Sequence, residues 1–400
     1  MEKVLKIGVI GLGDRIRRLI TLVSVEFKGT FEITAVADPD IEKVKKIAQE
    51  DEGYFAENVA FYSNADEMLD KENFDGVMIG TRCNLHTELA VKVIERGIPL
   101  FLEKPVSTTL EQVKMLNDAR KKYNPKVIVS FPLKTSNIVG VVKDMIDSGK
   151  IGKIESVQAF NDVPYGRVYQ HDWYRDTSIT GGMWLQKATH DLDYIDYILG
   201  GQPTEICAMD SHTLFTGDMP ENQKCVDCDK WDTCPESPSH RLLNNREYFE
   251  KSLDKSNWQS YYCCFSKIKG PQDAGSAIVR YDNGIFVSYN QNFIVRNEAG
   301  RRGANFYGYK GTISFDFNKG TIAFYSHGFN TVENISLKPY KKSSHFGGDI
   351  VLIKRFHDMM RGKDVPSMLD AGIKSALSCL LAEQSCRESK FMKIPNIDEM

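Results

Sequence analysis

The chain has 400 residues, 51 basic and 54 acidic side chains, a net charge of −3 and an apolar fraction of 42%. That near-balance supplies no single-sign field to attract nucleic acid or a membrane surface, and no stretch approaches the roughly 18 apolar residues of a membrane span. The length exceeds one ordinary core and predicts two soluble domains, expected to be cytoplasmic because Met1 to Lys6 runs straight into a strand rather than a leader-like apolar region.

Residues 6–10 read as a strand, Gly11-Leu12-Gly13-Asp14-Arg15 as the turn after it, 16–25 as a helix and 31–37 as a second strand ending at Asp38. This order is the context in which a glycine turn reads as a dinucleotide fingerprint. Gly11 permits the tight turn, and Gly13 lets backbone approach a pyrophosphate at a helix N-terminus. Asp38 can accept from ribose hydroxyls. Asp14, Arg15 and Pro39 flank these positions and join the candidate cofactor contacts. Ile16 stands where a third glycine is usual, which predicts that helix and strand pack slightly apart.

Further helices over 40–50, 65–70, 85–96 and 110–123 alternate with strands over 75–80, 98–102 and 126–130. Repeated units of this kind imply a doubly wound parallel sheet with helices on both faces. The strand at 98–102 is apolar and is followed at once by Glu103-Lys104-Pro105-Val106. Glu103 and Lys104 therefore emerge at the carboxyl edge of a sheet strand, where open α/β sheets bind ligands. Pro105 locks the exit, and the isomer of the Lys104–Pro105 bond stays open at this level. Residues 1–125 are read as the dinucleotide-binding domain and 126–400 as a second, α+β domain.

In the second domain, Asp172-Trp173-Tyr174-Arg175-Asp176 precedes a helix that opens at Gly181-Gly182 and ends at Gly200-Gly201. Leu185, Ala188, Leu192, Ile195 and Leu199 form its apolar stripe. Gln186 and His190 are four apart and share a face, with Lys187 and Asp191 as a second pair beside them. A polar face of this content in a helix entered through glycines predicts a site. Cys225, Cys228 and Cys234 make a C-x2-C-x5-C run in an insertion near 221–240. Two thiolates so spaced can hold a structural zinc, with Cys207, His240 or Cys263 as candidate fourth ligands; the competing reading is a polar insertion with free thiols. Residues 275–281, 284–292, 304–309, 312–317 and 321–326 alternate apolar and polar side chains and read as antiparallel strands with one buried face. Their aromatics, including Phe286, Tyr289, Phe293, Phe306, Phe315 and Phe324, read as core or subunit interface. Two last helices, reaching 361 and spanning 371–389, are expected to pack on this sheet.

Taken in order, Gly11-Leu12-Gly13, the Thr81…His86 loop, Glu103-Lys104-Pro105 and Gly181-Gly182…His190 resemble the glucose–fructose oxidoreductase / inositol dehydrogenase (Gfo/Idh/MocA) family over nearly the whole chain. The resemblance implies a Rossmann domain, then a substrate domain on a large, mostly antiparallel sheet. It implies NAD as cofactor, a secondary alcohol of a sugar or cyclitol as substrate, and assembly as a homodimer or homotetramer. Carried over, Lys104 lies beside the nicotinamide and the reacting hydroxyl, and His190 is the base. Thr81, His86 and Glu103 are then expected on the cofactor side, and Tyr174, Arg175, Gln186, Lys187 and Asp191 around the substrate hydroxyls. Two departures stand out. Arg82 and Cys83 occupy positions where the family often has Pro-Asn, and Gln186 replaces the family's usual acid four residues before the histidine. A glutamine does not stabilise an imidazolium as a carboxylate does. Two rival readings follow: transient oxidation by tightly held NAD with no net redox, and a catalytically silent NAD- or sugar-sensing regulator.

Overall fold

The structure, a computed structural model, describes residues 3–50, 53–241, 254–268, 270–338 and 345–400. The first part of the chain alternates strand and helix: β1 (Leu5–Ile10), α1 (Asp14–Glu26), β2 (Phe31–Ala37), α2 (Ile41–Glu50), β3 (Phe55–Tyr62) and α3 (Ala65–Lys71). It continues with β4 (Gly76–Ile79), α4 (His86–Glu95), β5 (Leu100–Leu102), α5 (Leu110–Tyr123) and β6 (Val127–Val129). All six strands pair in parallel, in the order β3-β2-β1-β4-β5-β6. The central strands are apolar on both faces and fully buried, as a sheet covered on both sides requires. Helix α5 spans the predicted residues because both ends are marked: the Thr109 side chain accepts from the Gln112 amide, and Asn124 leaves in the left-handed region at φ 43°. Strand order reverses between β1 and β4, so the loops after these strands flank the crevice where such sheets bind ligands.

The second part contains α6 (Asn137–Asp147), β7 (Ile154–Asp162), α7 (Thr189–Leu199), β8 (Pro203–Ser211), β9 (Ala274–Tyr281) and β10 (Phe286–Asn292). It ends with β11 (Arg301–Gly308), β12 (Gly311–Asp316), β13 (Thr321–Ser326), β14 (Val332–Ser336), α8 (Gly348–Met360), α9 (Leu369–Glu388) and β15 (Met392–Lys393). Nine strands form one sheet in the order β14-β13-β12-β11-β7-β10-β9-β8-β15. Every neighbouring pair is antiparallel except β7 with β10. Strict alternation along β9 turns Ala277, Val279 and Tyr281 inward. Tyr289, Phe293, Phe306, Phe315 and Phe324 are core, whereas Phe286 is 48% exposed on the other face.

The two late helices differ from expectation in one respect. Helix α9 does cover the second sheet: the Ala208 amide donates to Ser385 Oγ at 2.9 Å, and the Thr189 and Ser375 hydroxyls meet at 2.8 Å. Helix α8 instead packs on the first sheet. Phe356 meets Phe101 edge-on at 5.7 Å, and the absent Cβ of Gly76 leaves room for Phe356 and Met360. Just past α8, Arg361 donates to the Lys3 carbonyl at 2.7 Å. Its apolar stripe alone does not say which of two sheets it will cover. Among the described residues, no helix is long and apolar enough to cross a membrane.

Candidate active site

The crevice between the two parts is assembled from the ends of β1, β2, β4 and β5 on one side and the entry to α7 on the other. Gly11 has φ +80°, and a Cβ there would come within 2.7–2.9 Å of Thr81 atoms; only glycine fits. At Gly13 an added Cβ would meet a single atom outside the immediate chain, the Gly80 carbonyl oxygen at 3.5 Å, so internal packing does not demand glycine at that helix entry. Asp38 pins both loops: Oδ2 accepts from the Leu12 amide at 3.1 Å and Oδ1 from the Asp40 amide at 3.0 Å. Asp14 and Pro39 are exposed beside them.

Ile16 does not push helix and strand apart as the sequence reading expects. It is fully buried, and a Cβ on Gly80 would lie 2.0 Å from Ile16 Cγ1. The missing glycine of the helix is replaced by one at the end of the neighbouring strand. Gly80→Ala should therefore destabilise the chain by about 1–3 kcal/mol through overpacking. Adding Ile16→Ala in the same chain should recover most of that loss, as read from thermal unfolding of the two variants.

Arg15 is a strut rather than an open phosphate contact. It donates to Glu103 Oε1 at 3.2 Å, Ser130 Oγ at 3.2 Å and Asp349 Oδ1 at 2.5 Å. Asp349 also takes His345 Nδ1 at 2.8 Å, so this carboxylate from the second half of the chain ties α8 to the first helix. His345 and Arg15, working against burial, hold Asp349 well below the usual carboxylate range. His86 is buried, with Nδ1 2.7 Å from the Pro105 carbonyl and Nε2 3.2 Å from the Thr81 carbonyl. It binds the Thr81 loop to the strand exit and positions both, instead of facing the crevice.

Lys104 leaves β5 through a cis peptide to Pro105. Its Nζ donates to the Gln186 carbonyl at 3.1 Å and to Gln186 Oε1 at 3.4 Å, crossing from one domain to the other. Burial lowers its pKa to about 8, with Lys187 and Arg15 acting in the same direction. Gln186 Nε2 is in turn committed to the Thr180 carbonyl at 2.8 Å and to Cys83 Sγ at 3.4 Å. Both ends of the amide are thus occupied by protein, and it orients Lys104 rather than His190. Trp184–Ala188 form a π turn before α7, a geometry frequent at functional sites. The spacing that an α-helical period predicts is widened there, so Gln186 and His190 do not act as a bonded pair.

His190 packs edge-on against Phe131 at 5.9 Å, and its buried Nδ1 has no hydrogen-bond partner among the described residues. Burial, then Lys104, Arg302, His345 and Lys187, hold its pKa well below the ordinary value. The imidazole is neutral at neutral pH.

Three of the expected substrate contacts face elsewhere or do other work. Asp191 is buried and receives Arg302 through Nε at 2.7 Å and Nη2 at 2.9 Å, with Tyr289 OH and Asn161 Nδ2 each at 2.9 Å. It is a structural anchor, not a hydroxyl acceptor. Arg175 reaches Ser266 Oγ at 2.7 Å and the Ile268 carbonyl at 3.1 Å, fastening the segment just after Cys263 and Cys264. Tyr174 stacks on Trp173 at 3.9 Å, and Arg82 lies over that same indole at 3.9 Å, joining the two domains at the rim. Lys187 does remain at the crevice, donating to Tyr165 OH at 2.9 Å and lying over the Tyr165 and Tyr169 rings. Sequence reading did not single out Tyr165, Tyr169, Trp173, Arg302 or Asp349. The four-residue spacing of the two tyrosines is the one local signal that pointed to them.

The expected zinc site is not assembled among the described residues. Cys225 lies in a small core with Val226 and Trp231, its Sγ 3.6 Å from the Tyr262 carbonyl and 4.0 Å from His171 Nδ1. Cys228 turns to Asp229 at 3.7 Å, and Cys207 sits in β8, paired with Ile278 in β9. The His240 side chain lies outside the described residues. Among those described, no three His, Cys, Asp or Glu side chains, Cys234 included, gather to hold a metal ion. Tetrahedral coordination needs four convergent donors; this loop instead packs on its own Val226 and Trp231.

Residues 5–131 match a family model described as an oxidoreductase family with an NAD-binding Rossmann fold, and residues 139–314 match one described as a GFO/IDH/MocA C-terminal domain. The chain is 27% identical over 365 residues to YteT of Bacillus subtilis, covering 84% of each. It is 26% identical over 204 residues to the myo-inositol 2-dehydrogenase of Thermotoga maritima, spanning 51% of this chain and 58% of that one. A levoglucosan dehydrogenase solved with NADH and L-sorbose superposes with a TM-score of 0.75 at 18% identity, over 98% of this chain and all of that one.

Proposed function

Since the chain belongs to the Gfo/Idh/MocA family of oxidoreductases, we propose that it oxidises a secondary alcohol of a sugar or cyclitol with NAD. The observation that carries the reading is that Lys104 reaches across to Gln186, four residues before His190, whose buried Nδ1 has no hydrogen-bond partner among the described residues. A charged ammonium stabilises developing alkoxide, and a neutral imidazole accepts the hydroxyl proton. In this reading Gly11, Gly13, Thr81 and Asp38 hold the dinucleotide, which supplies the hydride acceptor. Myo-inositol 2-dehydrogenase among the relatives supports the cyclitol side of the substrate class.

Incubation with NAD and a panel of inositols, hexoses and sugar acids should raise the absorbance of reduced nicotinamide with at least one of them. Turnover without added NAD would instead mark a cofactor that stays bound and returns its hydride. The cofactor itself is tested by calorimetry. With Asp38 as the partner of the ribose hydroxyls, a 2′-phosphate would be repelled, and NADP should bind at least about tenfold more weakly than NAD, or about 1.4 kcal/mol. Tighter NADP binding would contradict this assignment. We also propose that the outer face of the second sheet, where Phe286 is 48% and Ile278 50% exposed, pairs subunits; light scattering on the purified chain should give a dimer or tetramer mass.

A further inference from the structure

Lys187 is only 7% exposed, yet its partners among the described residues are phenols: the Tyr165 hydroxyl at 2.9 Å and the rings of Tyr165 and Tyr169 at 4.5 and 4.8 Å. A buried ammonium ordinarily has a carboxylate beside it; here burial works against the charge and only the two phenols uphold it. The carboxylates nearby are spent. Asp191 is closed by Arg302, Tyr289 and Asn161, while Glu103 and Asp349 both receive Arg15. Lys104, the second ammonium in the crevice, is likewise bonded to an amide and a backbone carbonyl rather than to an acid. Against these three carboxylates stand four cations, Lys104, Lys187, Arg15 and Arg302, so the crevice carries one positive charge more than these groups balance. Tyr165 is 53% exposed, so the Lys187–Tyr165 pair is reachable from solvent instead of being sealed inside.

We infer that the substrate is an acid, and that Lys187 and the Tyr165 hydroxyl receive its carboxylate while Lys104 and His190 act on its hydroxyl. This deepens the dehydrogenase reading and rests on it for the second half of that statement. The two oxygens of a carboxylate suit one ammonium and one phenolic donor. A phosphate dianion favours guanidinium forks, and three of those nearby are engaged: Arg302 with Asp191, Arg15 with Glu103 and Asp349, and Arg175 with Ser266, while Arg82 stacks over Trp173 at the rim. A neutral polyol would leave Lys187 with its two phenols alone.

Calorimetric titration of the NADH-loaded chain decides this, using glucuronate, galacturonate and gluconate against glucose, galactose and myo-inositol, with glucose 6-phosphate as the other anion. At least one acid should bind about tenfold or more tightly than its neutral counterpart, about 1.4 kcal/mol. Lys187→Met should erase that preference and Lys187→Arg should keep part of it, both with unchanged NADH affinity. Equal or tighter binding of the neutral compounds, no binding of any acid, preference for the phosphate ester, or an acid preference that survives Lys187→Met would each overturn the inference. Failure to bind NADH would count against the dehydrogenase reading alone, and the same acid panel on the cofactor-free chain would still decide the carboxylate.

Discussion

Replacing Lys104 by alanine should lower kcat by about 10²–10⁴-fold while NAD affinity stays within about twofold. The ammonium is held 3.1 Å from one carbonyl of the other domain, so its position is fixed before substrate arrives. A preorganised charge acts mainly on the charge that develops during reaction, so it raises kcat more than it tightens ground-state binding. His190→Ala should cost a similar factor. The double variant should lose much less than the product of the two, because residues sharing one proton path are not additive. The pH profile supplies a second handle. The lysine pKa is lowered to about 8, so the charged form persists below that pH and is lost above it. The kcat/KM of the wild type should therefore fall above pH about 8 with an ionisation that the Lys104→Ala variant lacks. Near-wild-type turnover in both alanine variants would rule out this site.

The second large effect is on stability. Asp191→Ala should cost about 3–5 kcal/mol, because it leaves the Arg302 guanidinium without its buried counter-charge. The carboxylate is completely buried and takes two bonds from Arg302 and one each from Tyr289 and Asn161. Burial opposes the Arg302 charge, and Asp191 more than restores it, raising its pKa above the ordinary arginine value. The expected fall in melting temperature is on the order of 10 °C. The double replacement Asp191→Leu with Arg302→Met should recover much of that loss, since a well-packed apolar pair often equals a buried ion pair. An Asp191→Ala variant that melts like wild type would show that the anchor is not structural.

The particular residues explain how far the sequence could be read. The glycine turn, Asp38, the β5 exit and the α5 boundaries are encoded within a few residues of themselves, by turn glycines, caps and apolar runs. The two-sheet architecture and the family motifs follow from such local marks taken in order. Asp191 and Arg175 were expected at the substrate because their helix and loop place polar groups at the crevice. Their partners lie 111 and 91 residues away, and nothing local announces them. The π turn over Trp184–Ala188 shifts side chains that an α-helical period would align. Strand β7 pairs in parallel with β10 and antiparallel with β11, so its place in the sheet is set by segments more than a hundred residues further on. Ile16 and Gly80 show the same limit at smaller scale: one lost glycine is offset by another, 64 positions later, that only the packed structure brings into contact.

Hydride transfer from the carbinol carbon to nicotinamide can be followed directly with an isotope. A substrate found by the panel is deuterated at its carbinol carbon and incubated with the chain and NAD, and the recovered nicotinamide is examined by mass spectrometry. The account predicts one deuterium on the reduced ring, appearing at a rate about 10²-fold or more slower in Lys104→Ala. Reduced cofactor without the label, or product formed with no label passing through the nicotinamide, would contradict it.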